Sequence, residues 1–543
     1  MKTMVHPGQR RLFDPFQGVI GSAGWALIEG GWQSLFRGVL LERMPVGRLA
    51  KGMSEDQGRP SAELYAMLGL LLIREFQGWT VPQAHEAVLF RTDIQYALNL
   101  EPGFEVTQRT IERYLQRMQQ DEELGEELFR EVTDTLLTSM EVKVQKQRLD
   151  STHVLSDMAC LGRARMIGVA LKRFFQKVRR HDAALLSGLS EDLLKRYEKS
   201  SDSGVFGGLK DTEARRVALQ QVAEDLLVVL QHFEQSEPIG QWNQYHQLRT
   251  IFDQQCELRE EFIEVRAKTG GRVIQNVSDP NATYSGHKGA GYQVQFSETF
   301  NDDGLPNLIT AAQVETAVDS DADAVEPLLE DLRERDHLPQ ELLADAGYGS
   351  NANVAIASEQ GVTLIAPVPG SKAFDPDEVG YDRFTLNEAH EVVACPQGHA
   401  PKSTRYNAEA NSIWAQIDPS LCAACPLAAH CRVQRDAKTG QPNGRIQFRA
   451  DAPQSAQRRR HEQTPEYRDQ YRWRSGIEST NSALKRRLGL KRLRVRGMKA
   501  VQLAISLKLA GWNLLRAVAL RAVRAVRALQ TALAQTTPAI SAA

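Results

Sequence analysis

The sequence predicts an α/β protein in which a central sheet is joined to a helical N-terminal domain. Residues 1 to about 135 show the apolar period of helices, whereas strand and helix patterns alternate between about residues 292 and 366. The length of 543 residues exceeds one compact core and favours two to four domains. An apolar content of 42% with 25% charged residues is typical of a soluble globular protein.

The N-terminal segment, residues 1–138, is predicted to form helices that read DNA. An apolar-periodic helix is expected over residues 61–76, and a capping box of Thr80 and Gln83 begins the next helix. A later helix starts at Thr107 and carries Arg109 and Arg113 on its polar face. This outline suits a helix-turn-helix with those two arginines as DNA contacts, and a plain helical bundle is the alternative.

The central part of the chain predicts α/β layers. A short β-leaning segment, residues 142–150, ends in Asp150, and a mostly helical insertion follows over about residues 160–270. Residues 292–299 alternate as a half-buried strand should. Further strands are expected near 308–314, 341–344 and 362–366, with helices over 322–333 and 351–359. Such alternation implies some parallel pairing.

Two aspartates are expected at strand ends. Asp345 follows the apolar residues 342–344 and precedes a glycine turn, and Asp150 is placed equivalently after the first strand. Ligands of open α/β sheets bind at the carboxyl ends of strands, so both side chains are expected at the rim of the sheet. Separately, a turn-forming aspartate or a strand terminator explains each of them equally well.

A third acid lies near the C-terminus. On a helix, Tyr471, Arg474, Glu478 and Lys485 fall within an arc of about 60°. One carboxylate is thereby ringed by a phenol and two cations, which suits a metal ion acting on a nucleic-acid backbone. A surface helix with a chance salt bridge is the alternative. Together, Asp150, Asp345 and Glu478 would repel one another unless cations bind between them, and their oxygens favour two Mg²⁺ or Mn²⁺ ions.

Charge is distributed unevenly along the chain. Residues 445–499 hold 16 Lys and Arg against 5 Asp and Glu, although the whole chain has a net charge of −2. A local positive field of this size predicts a polyanionic partner, most commonly nucleic acid.

Four cysteines form a cluster between Asp345 and Glu478. Cys395, Cys422, Cys425 and Cys431 have the spacing of a small, irregular zinc module, in which His399 can replace one cysteine. Unligated thiols and an iron–sulfur cluster are the alternatives. Such a zinc ion would be structural. Clustered cysteines of this kind fit metal ligation in a reducing cytoplasm better than they fit disulfides.

The C-terminal apolar run, residues 501–515, is interrupted by Lys508 and followed by Arg516, so a buried helix is favoured over a membrane span. No secretory signal is recognised in residues 1–16, which lack an apolar core. A cytoplasmic protein is expected.

The order Asp150, Asp345, Glu478 resembles the DDE-type transposases of bacterial insertion sequences. The Tyr-x₂-Arg-x₃-Glu-x₆-Lys motif from Tyr471 to Lys485 is similar to that of one group of this family. The Leu-Ala-Asp-x-Gly-Tyr stretch around Asp345 matches its second acidic motif. Gly58-Arg-Pro-Ser61 and Asn481-Ser-x-Leu-Lys-Arg-Arg are also similar, and the resemblance covers roughly residues 12–515. The large helical insertion after Asp150 departs from the pattern.

The resemblance implies a ribonuclease-H-like catalytic core formed by residues 139–390 and 446–520. A cysteine-rich insertion, residues 391–445, and a C-terminal helix with a frayed tail, residues 521–543, complete the expected organisation. Asp150, Asp345 and Glu478 would be catalytic and bind the metal ions. Transposon-end phosphates would be bound by Tyr471, Arg474, Lys485, Arg486, Arg487, Lys491 and Arg492.

The expected activity is metal-dependent cleavage at insertion-sequence ends and strand transfer into target DNA. The expected partners are double-stranded terminal inverted repeats and target DNA, with two protomers in the DNA complex, no membrane, and association with the bacterial nucleoid when bound. The alternatives are a structure-specific nuclease with the same core and a non-catalytic DNA-binding derivative.

Overall fold

The computed structural model describes residues 1–8, 13–159, 161–199, 201–202, 205–206, 211–260, 262–301, 304–370 and 374–536, with side chains up to residue 531. Many helices surround a mixed sheet, which confirms the predicted α/β class. The largest hydrophobic cluster joins the N-terminal helices, one face of the sheet and the C-terminal helices. The N-terminal segment therefore shares its core with the sheet.

The N-terminal segment is helical, as predicted. Its helices are α1 (Ser22–Gly30), α2 (Trp32–Leu35), α3 (Val46–Leu49), α4 (Leu64–Gln77), α5 (Val81–Phe90), α6 (Thr92–Ala97), α7 (Gln108–Gln120) and α8 (Leu124–Ser139). Helix α4 ends at Gly78, whose φ of 68° suits a residue without a Cβ. Helix α5 begins with the predicted capping box of Thr80 and Gln83. In α7, Ile111, Tyr114 and Met118 are buried, as the apolar period predicts.

The first strand, β1 (Lys146–Val154), is followed by the predicted helical insertion. The insertion contains α9 (Arg163–Asp182), α10 (Glu191–Tyr197), α11 (Thr212–Phe233), α12 (Asn243–Gln255), and a hairpin of β2 (Cys256–Leu258) and β3 (Ile263–Val265). Its helices pack around a hydrophobic cluster of their own, which includes Phe174, Phe175 and Phe233. This separate core explains how the insertion interrupts the sheet without disturbing it.

The chain then returns to the sheet. The elements are β4 (Thr283–Ser285), β5 (Gly289–Thr299), β6 (Ile309–Thr316), α13 (Val325–Glu334), β7 (Glu341–Leu343), α14 (Asn351–Glu359) and β8 (Thr363–Ile365). The main strand order is β6-β5-β1-β7-β8, with β4 pairing the start of β5. Strand β5 is antiparallel to β1 and β6, whereas β7 is parallel to β1 and to β8. The strands and helices predicted between residues 308 and 366 are present.

Two details of the sheet differ from the prediction. Asp150 lies in the middle of β1, because the strand continues to Val154 along its antiparallel partner β5. Strand β5 is buried on both faces from Gly291 to Thr299, although its alternation predicted one exposed face. Helices cover both sides: one face contributes to the largest cluster, and Leu149 on the other packs with α13 and α14. The polar side chains of β5 are therefore inside the protein.

The cysteine-rich segment forms a small sheet structure. It contains β9 (Thr385–Leu386), β10 (Val392–Ala394), β11 (Ser403–Asn407), β12 (Ser412–Gln416), α15 (Pro419–Ala423) and β13 (Arg445–Arg449). Strands β11, β12 and β13 form an antiparallel sheet, and β9 pairs β10. A separate hydrophobic cluster around Ile413 and Ile446 holds this segment together.

The remaining helices are α16 (Ala452–His461), α17 (Pro465–Tyr471), α18 (Gly476–Arg487) and α19 (Met498–Thr536). A 3₁₀ turn, Arg472–Ser475, separates α17 from α18. Tyr471 and Lys485 therefore do not lie on one continuous helix, as the 100° projection assumed. The boundary expected at residue 521 falls inside α19, which continues without a break. Residues 537–543 of the expected frayed tail lie outside the described residues.

Helix α19 is the predicted buried helix. It packs against α4 and α8, and the Asn513 amide is fixed by Thr133 of α8 and by the backbone of Ile309 in β6. By length and composition alone, its Met498–Thr531 portion is apolar enough to cross a membrane. Most of its most apolar stretch is buried within the structure, as in core helices of globular proteins.

Candidate active site

The register between β1 and β7 brings Asp150 close to Asp345. Their parallel ladder ends where Arg148 pairs with Leu343, and each aspartate lies two residues further along its chain. Asp345 is held in a turn by its own Oδ1, which accepts from the Gly347 N–H at 2.7 Å. A Cβ at residue 347 would lie 2.9 Å from that oxygen, so a glycine keeps the turn tight. The rim position predicted for Asp345 is thus reached.

Helix α18 brings the third acid to the same place. Glu478 lies in its first turn, and Asn481 lies three residues later on a neighbouring face. The Asn481 amide Nδ2 donates to Asp150 Oδ2 at 2.9 Å. This bond fixes α18 to β1, although the two residues are 331 positions apart in the sequence.

Arg474 lies between the three acids. Its Nη2 donates to Asp150 Oδ1 at 3.0 Å and lies 3.6 Å from Asp345 Oδ2. Its Nη1 donates to Glu478 Oε1 at 2.8 Å. One guanidinium therefore contacts all three carboxylates that the sequence predicts to act together, and it offsets their mutual repulsion.

The site combines burial with opposed charges. Burial raises the pKa of Asp150 to about 6, while Arg474 opposes the rise and Asp345 and Asp321 add to it. Burial alone lowers the pKa of Arg474, but Asp150, Asp345 and the other neighbouring groups raise it above its ordinary value. Asp150 is 11% exposed at its side chain, against 39% for Asp345 and 64% for Glu478. The two outer acids therefore face solvent, and Asp150 forms the floor.

The other members of the predicted motif surround this cluster. Tyr471 is half-buried, stacks on Tyr467 at 5.6 Å, and has a pKa raised by burial. Burial lowers the pKa of Lys485, and the charge of Asp150 opposes this lowering, so Lys485 lies within electrostatic range of Asp150. The motif is thus assembled at one site despite the 3₁₀ turn.

A basic edge continues from the site. The side chains of Arg486, Arg487, Lys491 and Arg492 are exposed. The backbone of residues 491–493 pairs with Leu155, directly after β1, through Leu155 N–H to Lys491 O and Leu493 N–H to Leu155 O. This pairing keeps Lys491 and Arg492 next to the strand that carries Asp150, while Arg486 and Arg487 lie at the end of α18.

Arg109 and Arg113 line a separate groove on the N-terminal helices. Both side chains are exposed on α7, and Arg109 also pairs with Glu112. They line an open cavity of about 940 Å³ together with Arg59 and Arg117. Arg59 belongs to the Gly-Arg-Pro-Ser stretch, so this groove gathers four arginines from two parts of the sequence.

The four clustered cysteines line one small cavity. Cys395, Cys422, Cys425 and Cys431 surround about 30 Å³ together with His399. Burial, together with the three neighbouring thiols, raises the pKa of Cys422 to about 11. Thiols and imidazole are side-chain types that zinc binds.

Neither cluster is preformed as a metal site. Among the described residues, no group of three or more His, Cys, Asp or Glu side chains is arranged to hold a metal ion. At the acidic cluster the reason is visible, because the Arg474 guanidinium lies between the carboxylates. The oxygen donors of Asp150, Asp345 and Glu478 nevertheless have the chemistry that Mg²⁺ and Mn²⁺ prefer.

Two further residues at the site have no role assigned from the sequence, although Asn481 belongs to the Asn481-Ser-x-Leu-Lys-Arg-Arg stretch. Asn481 binds Asp150, and its spacing of three from Glu478 on a helix was the available signal. Asp321 lies near Asp345 across Gly347 and pairs with Lys288 Nζ at 3.0 Å. No local pattern indicates Asp321, because a 3₁₀ turn before α13 brings it to the sheet.

A comparison with known families adds an independent observation. The model of a family described as transposase DDE domain matches residues 394–518. The match contains Glu478, Arg474, Lys485 and the four clustered cysteines, and it ends before the last part of α19. No curated protein matches the chain.

Proposed function

We propose that the chain is a DDE-type transposase, as the match of residues 394–518 supports, and that it cuts DNA at insertion-sequence ends and transfers the freed strands into target DNA. The observation that carries this proposal is the convergence of Asp150, Asp345 and Glu478 on one guanidinium. The three acids come from β1, from the turn after β7 and from α18. They are far apart in the sequence and are brought together by the fold. A purely DNA-binding protein gains nothing from three mutually repelling carboxylates.

The catalytic core is proposed to be ribonuclease-H-like. Support comes from the strand order β6-β5-β1-β7-β8, in which β5 alone runs against its neighbours. The acid of β1 and the acid that follows β7 meet at adjacent strands, as the family resemblance implies. The cysteine-rich insertion lies in sequence between this sheet and the helix that carries Glu478.

Asp150, Asp345 and Glu478 are proposed to hold two Mg²⁺ or Mn²⁺ ions. When bound, such ions activate a water or a 3′-hydroxyl and stabilise the leaving oxygen of a phosphodiester. Asp150 forms the buried floor, while the exposed Glu478 is free to turn towards the substrate side. For metal ions to bind between the acids, Arg474 has to move away from them. Its planar guanidinium then suits bidentate binding of a DNA phosphate.

DNA is proposed to bind along two surfaces of the protein. Tyr471, Arg474 and Lys485 would contact phosphates at the cleaved end, and the basic edge of Arg486, Arg487, Lys491 and Arg492 would follow the backbone. The arginine groove on α7, with Arg109 and Arg113, would read the terminal repeat. Two protomers are proposed to pair the two ends.

A structural zinc ion is proposed for Cys395, Cys422, Cys425 and Cys431. The support is their shared cavity, where burial and the neighbouring thiols raise the pKa of Cys422 and Cys431, and a cation would stabilise the thiolates. The cysteine-rich segment has a small hydrophobic core, and a bound metal would strengthen it.

The test is incubation of the full-length protein with Mg²⁺, DNA carrying the element ends with their flanks, and a target plasmid. Strand transfer supports the proposal, whereas cutting of branched DNA alone would favour the nuclease. Glu478→Gln should abolish both steps, and Glu466→Gln, an exposed acid on the preceding helix, is the matched control that should not. Binding without cleavage, unchanged in Glu478→Gln, would contradict the proposal and support a non-catalytic protein.

A further inference from the structure

A buried ion pair lies beneath the candidate active site. Arg148 of β1 and Glu298 of β5 are cross-strand partners, and Arg148 Nε and Nη2 contact Glu298 Oε1 at 2.7 and 2.6 Å. Their side chains are 6% and 0% exposed. Taking two charges out of water is costly, so a buried ion pair is by itself weak evidence of a role in stability.

A further contact of Arg148 indicates the role of the ion pair. Its Nη1 donates to the Trp473 backbone carbonyl at 2.8 Å, within the 3₁₀ turn that precedes α18. Trp473 immediately precedes Arg474, and Glu478 follows in the first turn of α18. The guanidinium therefore holds the backbone of the segment that carries two residues of the site.

The start of α18 lies directly on this guanidinium. A Cβ at Gly476 would lie 2.0 Å from Arg148 Nη1 and 2.7 Å from its Cζ. The glycine thus allows the helix backbone to approach a charged group that is itself fixed by Glu298. This close contact between Gly476 and Arg148 fixes the distance between the start of α18 and the sheet.

Arg148 and Asp150 act on the same segment from neighbouring positions. They are two residues apart on β1 and so point to the same face of the sheet. Arg148 binds the Trp473 carbonyl, while Asp150 accepts from the Arg474 and Asn481 side chains. Only the Arg148 contact involves the backbone, so it persists when Arg474 moves away.

We propose that Arg148 and Glu298 are positioning residues, which fix the start of α18 so that Glu478 faces Asp150 and Asp345 during the reaction. This inference rests on the proposed function for its catalytic consequence. The positioning itself is a property of the backbone around residues 473–480. Both side chains are buried, so their proposed role is to act through the α18 backbone and not by contact with DNA.

The decisive variant is Arg148→Met/Glu298→Leu, which removes both charges together and leaves neither one unpaired. Replacing a buried pair by apolar groups of similar size is often neutral for stability, so the variant is expected to fold. Its matched control is Lys508→Met/Glu75→Leu, which removes another buried pair, 7% and 15% exposed, between α19 and α4. The second variant is Arg148→Lys. Its ammonium group can keep the ion pair with Glu298 but cannot also replace the contact with the Trp473 carbonyl.

Three measurements separate positioning from folding. We expect Arg148→Met/Glu298→Leu to keep the thermal midpoint of the control and to bind end DNA within about threefold of wild type, while single-turnover cleavage falls about 100-fold. Amide hydrogen exchange in residues 473–480 should become faster in this variant only. Arg148→Lys should give an intermediate cleavage rate with unchanged DNA affinity.

Cleavage close to the wild-type rate, or unchanged exchange in residues 473–480, would overturn the inference. Should the double variant fail to fold, a wild-type cleavage rate in Arg148→Lys would overturn it equally. If wild-type protein does not cut DNA, the proposed function fails, but faster exchange in the double variant still supports the positioning. The two failures are therefore distinguishable.

Discussion

Arg474 donates to Asp150 at 3.0 Å, and this contact joins a helix start to a strand 324 residues earlier in the sequence. The same guanidinium reaches Asp345 and Glu478, so one internal cation offsets part of the negative charge of the three acids in the free protein. Under the proposed function, divalent ions would compete with Arg474 for the acids, and a DNA phosphate would compete with the acids for Arg474. In the free protein Arg474 is held among the three acids, and under the proposed function it has to move away from them.

The first prediction concerns this exchange of cations. Arg474→Ala should lower the thermal midpoint in EDTA, because three carboxylates are left without their counter-charge. Mg²⁺ should raise the midpoint of the variant more than that of wild type, since the ions no longer displace an arginine. Differential scanning fluorimetry with increasing Mg²⁺ measures both effects.

Arg472→Ala is the control for that experiment. Arg472 lies in the same 3₁₀ turn but is exposed and pairs with Asp469. The thermal midpoint of Arg472→Ala should respond to Mg²⁺ as the midpoint of wild type does. An equal Mg²⁺ response in Arg474→Ala and wild type would show that Arg474 does not occupy the place of the ions.

A second prediction concerns the cost of burying Asp150. Its pKa is about 6 in the folded protein against an ordinary value of 3.8, so the folded state disfavours the ionised form. In EDTA at pH 7.5, Asp150→Asn should therefore be more stable than wild type, by on the order of 2 kcal/mol. Guanidinium unfolding followed by tryptophan fluorescence measures the difference.

The sign of the pH dependence follows from the same shift. The cost is fully present above about pH 6 and is lost as the pH falls towards 4, because the folded carboxyl then takes up its proton first. The gain in the free energy of unfolding of Asp150→Asn over wild type should shrink as the pH falls from about 6 towards 4. Glu478→Gln, at a side chain 64% exposed, should show little change at any pH. A constant advantage of Asp150→Asn from pH 4.5 to 7.5 would contradict the argument.

A third prediction tests the cysteine cluster. Purified protein should contain one zinc ion per chain by elemental analysis, and Cys425→Ser should lose it together with some thermal stability. Cys256→Ser is the control, because Cys256 is buried in the hairpin of the helical insertion, away from the cluster. Full zinc content in Cys425→Ser, or none in wild type, would rule out the proposed site.

A fourth prediction separates the two DNA surfaces. Arg113→Ala should weaken binding to terminal-repeat DNA by about 1–3 kcal/mol more than binding to unrelated DNA, because the α7 groove is proposed to read sequence. Lys491→Ala on the basic edge should weaken both equally and reduce the salt slope by about 1. Fluorescence anisotropy at several salt concentrations measures these quantities.

Arg216→Ala is the control for non-specific loss of charge, since Arg216 is 77% exposed on the helical insertion and pairs with Glu213. It should change neither affinity nor salt slope. If Arg113→Ala and Lys491→Ala behave alike on both DNAs, the groove does not contribute sequence recognition.

The sequence by itself determined the local elements and the chemistry of the site. Helix α14 was predicted with its observed bounds, and the capping box at Thr80 fixed the start of α5, because such signals lie within a few residues. The acids and the Tyr-Arg-Glu-Lys spacing were visible as residue types. The helical projection from Tyr471 to Lys485 was too simple, since a 3₁₀ turn divides it.

Only the tertiary structure decided how these groups meet. Asp150 lies within β1 because antiparallel pairing with β5 extends the strand, and the β1–β7 register then places Asp345 beside it. The Arg474 bridge and the Arg148–Glu298 pair join residues 150 or more positions apart. Contacts of that range depend on strand order and on how closely α18 approaches the sheet, and no local pattern in the chain encodes either.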